Sequence, residues 1–181
     1  MNEKRKWTLF NTEDGSDLRI AKVRFDWWKN PRNGAEIKAT VLETPNWVNM
    51  VALTADKKLV VVRQFRLGIQ QETVEIPAGV MEEGETPQEA AARELAEETG
   101  YTSDDWVYLG WVEPNPAFQD NHCHQFLARN AVRTQEVQQD DGEDVSFYEM
   151  TLDEVKEEIR AARMRNSLSL LTLSRVFEIW Q

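Results

Sequence analysis

A chain of 181 residues with 32 acids against 21 bases carries a net charge of −11. That length fits one domain with a small appendage. The sign excludes a general nucleic-acid binder, but not a small anionic substrate, because a bound cation reverses the local field. Seven Trp, seven Phe and three Tyr exclude a disordered chain. The single cysteine, Cys123, excludes an internal disulfide and suits a reducing compartment. The first residues are charged, and the longest aliphatic runs are far too short for a membrane span. A soluble, cytoplasmic protein is expected.

In chain order, residues 1–45 read as strands and turns, forming an N-terminal β segment distinct from a main domain over 46–181. Residues 18–28 and 37–42 are rich in β-formers, and Asn30-Pro31-Arg32-Asn33-Gly34 between them is a turn signal. Residues 47–53 and 59–65 are apolar runs separated by a short polar loop, which predicts a hairpin. Residues 73–76 make a short strand ending at Pro77, followed by an acidic loop punctuated by glycine. A helix then starts at Thr86, with Pro87 at its first position and Glu89 completing a capping box, and ends at Gly100. Residues 107–112, 124–128 and 145–150 read as strands. A second helix is expected over 152–164, capped by Thr151 and Glu154, and a third from Ser167 to the chain end. The order predicts an α+β sandwich rather than a doubly wound parallel sheet.

The excess charge sits at two places. Residues 79–101 hold seven Glu and one Arg, and residues 135–146 hold five acids and no base. On the first helix, Glu94, Glu97 and Glu98 stand three and four apart, with near neighbours about 5–6 Å apart at Cβ. Carboxylates so close repel unless they are solvated, protonated or bridged by a cation. An oxygen-only set suits Mg²⁺ or Mn²⁺ better than zinc. On spacing alone, a solvated acidic face explains them as well.

The longer pattern narrows this. Gly79, five residues, Glu85, seven residues and then Arg93-Glu94-Leu95-Ala96-Glu97-Glu98-Thr99-Gly100-Tyr101 resembles the Nudix hydrolase box at every specified position. The resemblance implies a Nudix-fold α/β/α sandwich. It implies Glu94 and Glu98 as metal ligands, with Glu97 a ligand or the support of one, and the Ala78 carbonyl completing the site. Glu85 and Arg93 would pair as structural support around Gly79, Leu95 would pack inward, and residues 90–92 would let the helix approach the sheet.

Residues outside the box resemble the ADP-ribose pyrophosphatase branch, whose substrates are nucleoside diphosphate sugars. Glu75-Ile76-Pro77-Ala78 leads into the box. Pro116 lies sixteen residues past Gly100, although Ala117 follows it where the branch commonly has glycine. Arg63-Gln64-Phe65-Arg66 is similar to the branch's Arg-Gln-Tyr-Arg. Arg66 is the better candidate for a phosphate contact, and a surface ion pair is its alternative. The second acidic segment matches a late loop that carries a glutamate in relatives, which makes Glu143 the candidate general base and Asp141 the next. Trp27 and Trp28 lie in a segment that relatives use for homodimerisation. One of them could stack on the base, while interface or core packing suits them at least as well. His122 and His124 lack the further ligands of a zinc site, and Cys123 lacks an activating context. All three are read as structural.

The resemblance therefore implies Mg²⁺-dependent hydrolysis of the pyrophosphate in ADP-ribose or another nucleoside diphosphate sugar, by a homodimer with no nucleic-acid or membrane partner. Other specificities within the family (dinucleoside polyphosphates, NADH, capped RNA) and a non-catalytic nucleotide-binding module are the alternatives.

Overall fold

Residues 48–52 are almost wholly buried, with apolar side chains and one asparagine in an unbroken run. An uninterrupted run of this kind marks a strand covered on both faces. The computed structural model describes residues 6–138, 142 and 144–180. Contacts divide the chain into two compact units, Met1–Pro45 with Glu113–His122, and Asn46–Val112 with Cys123–Gln181.

The first unit is a three-stranded antiparallel meander of β1 (Thr8–Asp17), β2 (Lys22–Lys29) and β3 (Glu36–Glu43). The expected turn joins β2 to β3, with Gly34 at φ 73°. β1 is absent from the sequence expectation. It is rich in Asp, Asn and Gly, all ten of its residues are exposed, and it has no alternation to read. Residues 113–122 join this unit through contacts that no local pattern signals. The Leu42 amide donates to the Phe118 carbonyl at 2.7 Å, Arg24 reaches Asp120 at 3.2 Å and Asn121 reaches the Pro45 carbonyl at 2.9 Å.

The second unit contains β4 (Trp47–Thr54), β5 (Leu59–Arg66), β6 (Gln71–Glu75), β7 (Ala78–Val80), α1 (Pro87–Thr99), β8 (Tyr101–Thr102), β9 (Asp105–Val112), β10 (Cys123–Arg133), β11 (Val145–Met150), α2 (Leu152–Arg160) and α3 (Ser167–Ser174). The strands form one mixed sheet in the order β11-β5-β4-β10-β8, with β6 on β5, β7 on β4 and β9 on β10. β10 runs parallel to β4. Against one face, Val48, Met50, Ala52, Val60 and Phe126 pack on Ala90, Ala91 and Leu95 of α1. On the other face, Val51, Leu59, Val61, Val74 and Leu127 pack on Val155, Met164, Leu173 and Ile179 from α2, α3 and the segments beside them. This is the expected helix–sheet–helix sandwich.

Three expectations need correction. Residues 78–80, expected as loop, form β7 against residues 47–49. The second helix ends at Arg160 rather than 164, because Ala162 adopts φ 55°. The third ends at Ser174, while Val176, Phe177 and Ile179 continue into the core as irregular chain. Their apolar spacing records burial rather than helix. No helix among the described residues is long and apolar enough to cross a membrane.

Candidate active site

The phase of α1 is fixed at both ends. Thr86 accepts from the Glu89 amide, the Glu89 carboxylate accepts from the Thr86 amide at 2.8 Å, and Gly100 closes the helix in the left-handed conformation at φ 75°. With Ala90, Ala91 and Leu95 against the sheet, the glutamates of the last two turns flank the packed face. Glu98 is only 5% exposed, and the Ala78 amide donates to its Oε2 at 3.1 Å. Glu94 lies over Gly79, where a Cβ would sit 1.9 Å from its carboxyl carbon. β7 therefore delivers the backbone of residues 78 and 79 directly beneath the two carboxylates.

Arg93 ties the loop to the helix. Its Nε and Nη2 donate to the two oxygens of Glu85 at 2.7 and 3.0 Å, and Nη2 also donates to the Val80 carbonyl at 2.9 Å. Its Nη1 donates to Glu94 at 2.9 Å and to Glu97 at 3.0 Å. The Arg93 hydrogen bonds, followed by the Glu82 amide, pull the Glu85 carboxyl down to about 2. The same bonds, that to Glu85 first, raise the Arg93 guanidinium above its usual range. Three carboxylates are thus gathered around one structural cation. Among the described residues, no three Asp, Glu, His or Cys side chains are arranged to hold a metal ion by themselves.

Arg66 forms a fork with Glu75 through Nε at 2.8 Å and Nη2 at 2.7 Å. Glu75 is 1% exposed and also accepts from the Thr73 hydroxyl at 2.5 Å. The fork holds Arg66 by two donors and leaves Nη1 for another acceptor. Burial beneath Arg66 makes Glu75 the group that orients it. Strand alternation separates Arg63 from this cluster: its guanidinium covers the Tyr148 ring at 5.3 Å, on the face of the sheet opposite α1.

The remaining candidates lie elsewhere. Trp27 and Trp28 belong to the first unit and, being adjacent on β2, face opposite ways. Lys38 lies over the Trp27 ring at 4.6 Å, while Trp28 lines a depression of about 400 Å³ with Trp7, Ile37 and Ala39. Pro116 sits in a turn of the same unit, where the amides of Phe118 and Gln119 bind the Asn115 carbonyl. Asp141 and Glu143 lie outside the described residues. Gln138, shortly before them, donates its amide to the Glu97 carbonyl at 3.0 Å, and Thr134 donates to Gly100 at 3.0 Å. The chain is therefore bonded to the end of α1 just before that acidic segment.

Cys123 is buried, and its Sγ donates to Asn49 Oδ1 at 2.8 Å. Burial pushes its thiol up to about 12, which suits an inert side chain. One grouping escaped the sequence reading. The Tyr108 hydroxyl lies 2.9 Å from Nδ1 of His124, and the available signal was the aromatic pair Tyr108 and Trp111 in a strand interrupted by Gly110.

Residues 44–171 match the NUDIX domain family. The chain is 33% identical over 163 residues to the methanol dehydrogenase activator of Bacillus methanolicus, covering 90% of this chain and 88% of that protein. It is 37% identical over 123 residues to the ADP-ribose pyrophosphatase of Bacillus subtilis, covering 67% and 66%. The crystal structure of an ADP compounds hydrolase shares the fold at a TM-score of 0.85, with 20% identity over 97% of this chain and 95% of that one. The chain belongs to the NUDIX family of hydrolases.

Proposed function

We propose that this protein hydrolyses the pyrophosphate bond of ADP-ribose or another nucleoside diphosphate sugar, giving a nucleoside monophosphate and a sugar phosphate, with Mg²⁺ or Mn²⁺ as cofactor. The observation that carries this reading is the placing of Glu94 and Glu98 of one helix over the backbone of residues 78 and 79, with Glu97 joined to Glu94 through Arg93. The ADP-ribose pyrophosphatase relative supports the choice of substrate class.

The donor set fits a hard divalent ion. It is made of oxygens, and one carboxylate occupies the space that a side chain at Gly79 would fill. Glu94, Glu98 and the Ala78 carbonyl would hold the ion, with Glu97 as a ligand or as support. Such an ion neutralises diphosphate charge and lowers the pKa of a bound water. The chain's own residues do the rest. The Ala78 amide anchors Glu98, Arg93 offsets the crowded carboxylates, and Glu75 aims Arg66 so that its remaining donors can meet a phosphate oxygen. Glu143, or Asp141, would take the proton from the attacking water. One indole of Trp27 and Trp28 would stack on the base. The exposed apolar face of the N-terminal sheet supports a homodimer, and the lone reduced cysteine suits the cytoplasm.

The test is Glu98→Gln, assayed in Mg²⁺ with ADP-ribose, ADP-glucose and GDP-mannose. The expected loss exceeds about 100-fold, the upper range for losing even a group that supports a ligand. A variant as fast as wild type overturns the metal assignment. A wild type that prefers dinucleoside polyphosphate, NADH or capped RNA overturns the sugar assignment. Tight ADP-ribose binding without turnover indicates a non-catalytic module.

A further inference from the structure

We propose that Trp111, His124 and Tyr108 form the subsite for the sugar beyond the diphosphate, an inference that rests on the function proposed above. One lateral row crosses four strands. Trp111 of β9 pairs with His124 of β10, His124 with Val48 of β4, and Val48 with Gly79 of β7. Residues paired across neighbouring strands project from the same face of a sheet. Here that face carries α1, because Val48 packs with Ala90, Ala91 and Leu95 and a Cβ on Gly79 would strike Glu94. The row starts beneath the acidic helix and ends at a half-exposed indole. At one strand spacing per step, His124 stands about 10 Å and Trp111 about 14 Å from Gly79. A pyrophosphate bearing one ring extends over such an interval.

A bulge builds the far end of the row. Gly110 pairs with Gln125 but Tyr108 pairs with Phe126, so Leu109 is an extra residue in β9. Gly110 takes φ 101°, which an L side chain rarely adopts. Trp111 and Tyr108 are three residues apart and would face opposite ways on a regular strand. The bulge returns both to the α1 face, which is how bulges re-aim side chains. Tyr108 then meets His124 through its hydroxyl at 2.9 Å, with ring centroids 5.9 Å apart. Trp111 is 47% exposed and Tyr108 49%, so large rings stand open to water beside polar atoms.

That combination matches a sugar ring. An indole face covers its C–H side, while an imidazole and a phenol hydroxyl meet its hydroxyl groups, the pattern of an aromatic wall with a few orienting polar groups.

The experiment is steady-state kinetics of Trp111→Ala and Trp111→Phe on ADP-ribose, ADP-glucose and GDP-glucose in Mg²⁺, with thermal melts to verify folding. In Trp111→Ala, KM for ADP-ribose is expected to rise about 10-fold and the preference between ADP-ribose and ADP-glucose to change. The preference between ADP-glucose and GDP-glucose is expected to stay, and Trp111→Phe to retain most of the wild-type behaviour. Unchanged KM values overturn the subsite, as does a change in base preference at constant sugar preference. Calorimetric titration of ADP-ribose and ADP supplies a readout free of turnover. Wild type is expected to bind ADP-ribose more tightly than ADP, and Trp111→Ala to narrow that gap. An unaltered gap overturns the subsite while leaving the proposed hydrolysis standing, whereas a wild type inert towards all three sugars defeats the functional reading itself.

Discussion

Gly79 shows how one residue without a side chain sets the position of another. Its φ lies outside the left-handed region, so an alanine could adopt its backbone. The constraint is space, since a Cβ would sit 2.1 and 2.2 Å from the two Glu94 oxygens. Gly79→Ala is expected to displace the Glu94 carboxylate and lower kcat by about 10- to 100-fold, with a small change in melting temperature. Kinetics and melts on the purified variant check both, and an unchanged kcat removes Glu94 from the site. Glu85 makes a different case. Its carboxyl is pulled from the ordinary 4.5 to about 2, chiefly by Arg93. A depressed folded-state value means that the ion pair's contribution is complete above 4.5 and fades as pH falls towards 2. Glu85→Gln should therefore be less stable than wild type at neutral pH, and the difference should shrink across that acid window. Urea unfolding at a series of pH values reads it, and a gap that persists at the acid end contradicts the assignment.

At the scale of elements, Gly100 joins two tasks. It ends α1 at φ 75°, and the space of its absent Cβ lies 2.3 Å from the Gln135 carbonyl oxygen. The next chain segment thus closes on the helix end, with Thr134 and Gln135 donating to Gly100 and Gln138 to Glu97. Gly100→Ala is expected to cost more than about 1 kcal/mol from backbone strain alone, and to raise hydrogen exchange at the Gln138 amide. Denaturant unfolding and exchange mass spectrometry measure the two effects; full protection at Gln138 would show that the segment holds without this approach. The helix itself was legible from Thr86, Pro87, Glu89 and Gly100, because capping is local chemistry. The Glu85–Arg93 contact followed from the family pattern rather than from propensity. β1 and β7 were not legible, since an exposed polar strand and a strand of only three residues exist through their partners and not through their own alternation. The Tyr108–Trp111 arrangement was hidden for a related reason: a bulge breaks the period on which strand reading depends. The fork of Arg66 on Glu75 needed the register of β5 and β6, which the sequence does not carry.

For the whole molecule, the informative surface is the N-terminal meander. A three-stranded sheet is near the lower limit of what stands alone, and it needs an apolar face covered. Here Trp28 and Ile37 pair across β2 and β3, and Leu9 pairs with Trp28 from β1. These three side chains share one face with Ala39, and Trp7 lies beside them. Leu9 is 46% exposed and Ile37 43%. β1, paired with β2 on one side, also stands at the margin of this sheet as a ten-residue edge strand. A second copy of the chain would cover the apolar face, and stable association of that kind buries on the order of 1,600 Å² in total. Light scattering is therefore expected to give twice the chain mass of 21.0 kDa. Ile37→Lys, which places an unpaired charge in the middle of the apolar face, is expected to return the particle to 21.0 kDa. α1 lies in the other compact unit, so the melt of that unit should survive the substitution. A wild type that scatters as a single chain would mean that the exposed tryptophan face meets ligand instead of a second copy, and would leave base stacking as the reason for its aromatic surface.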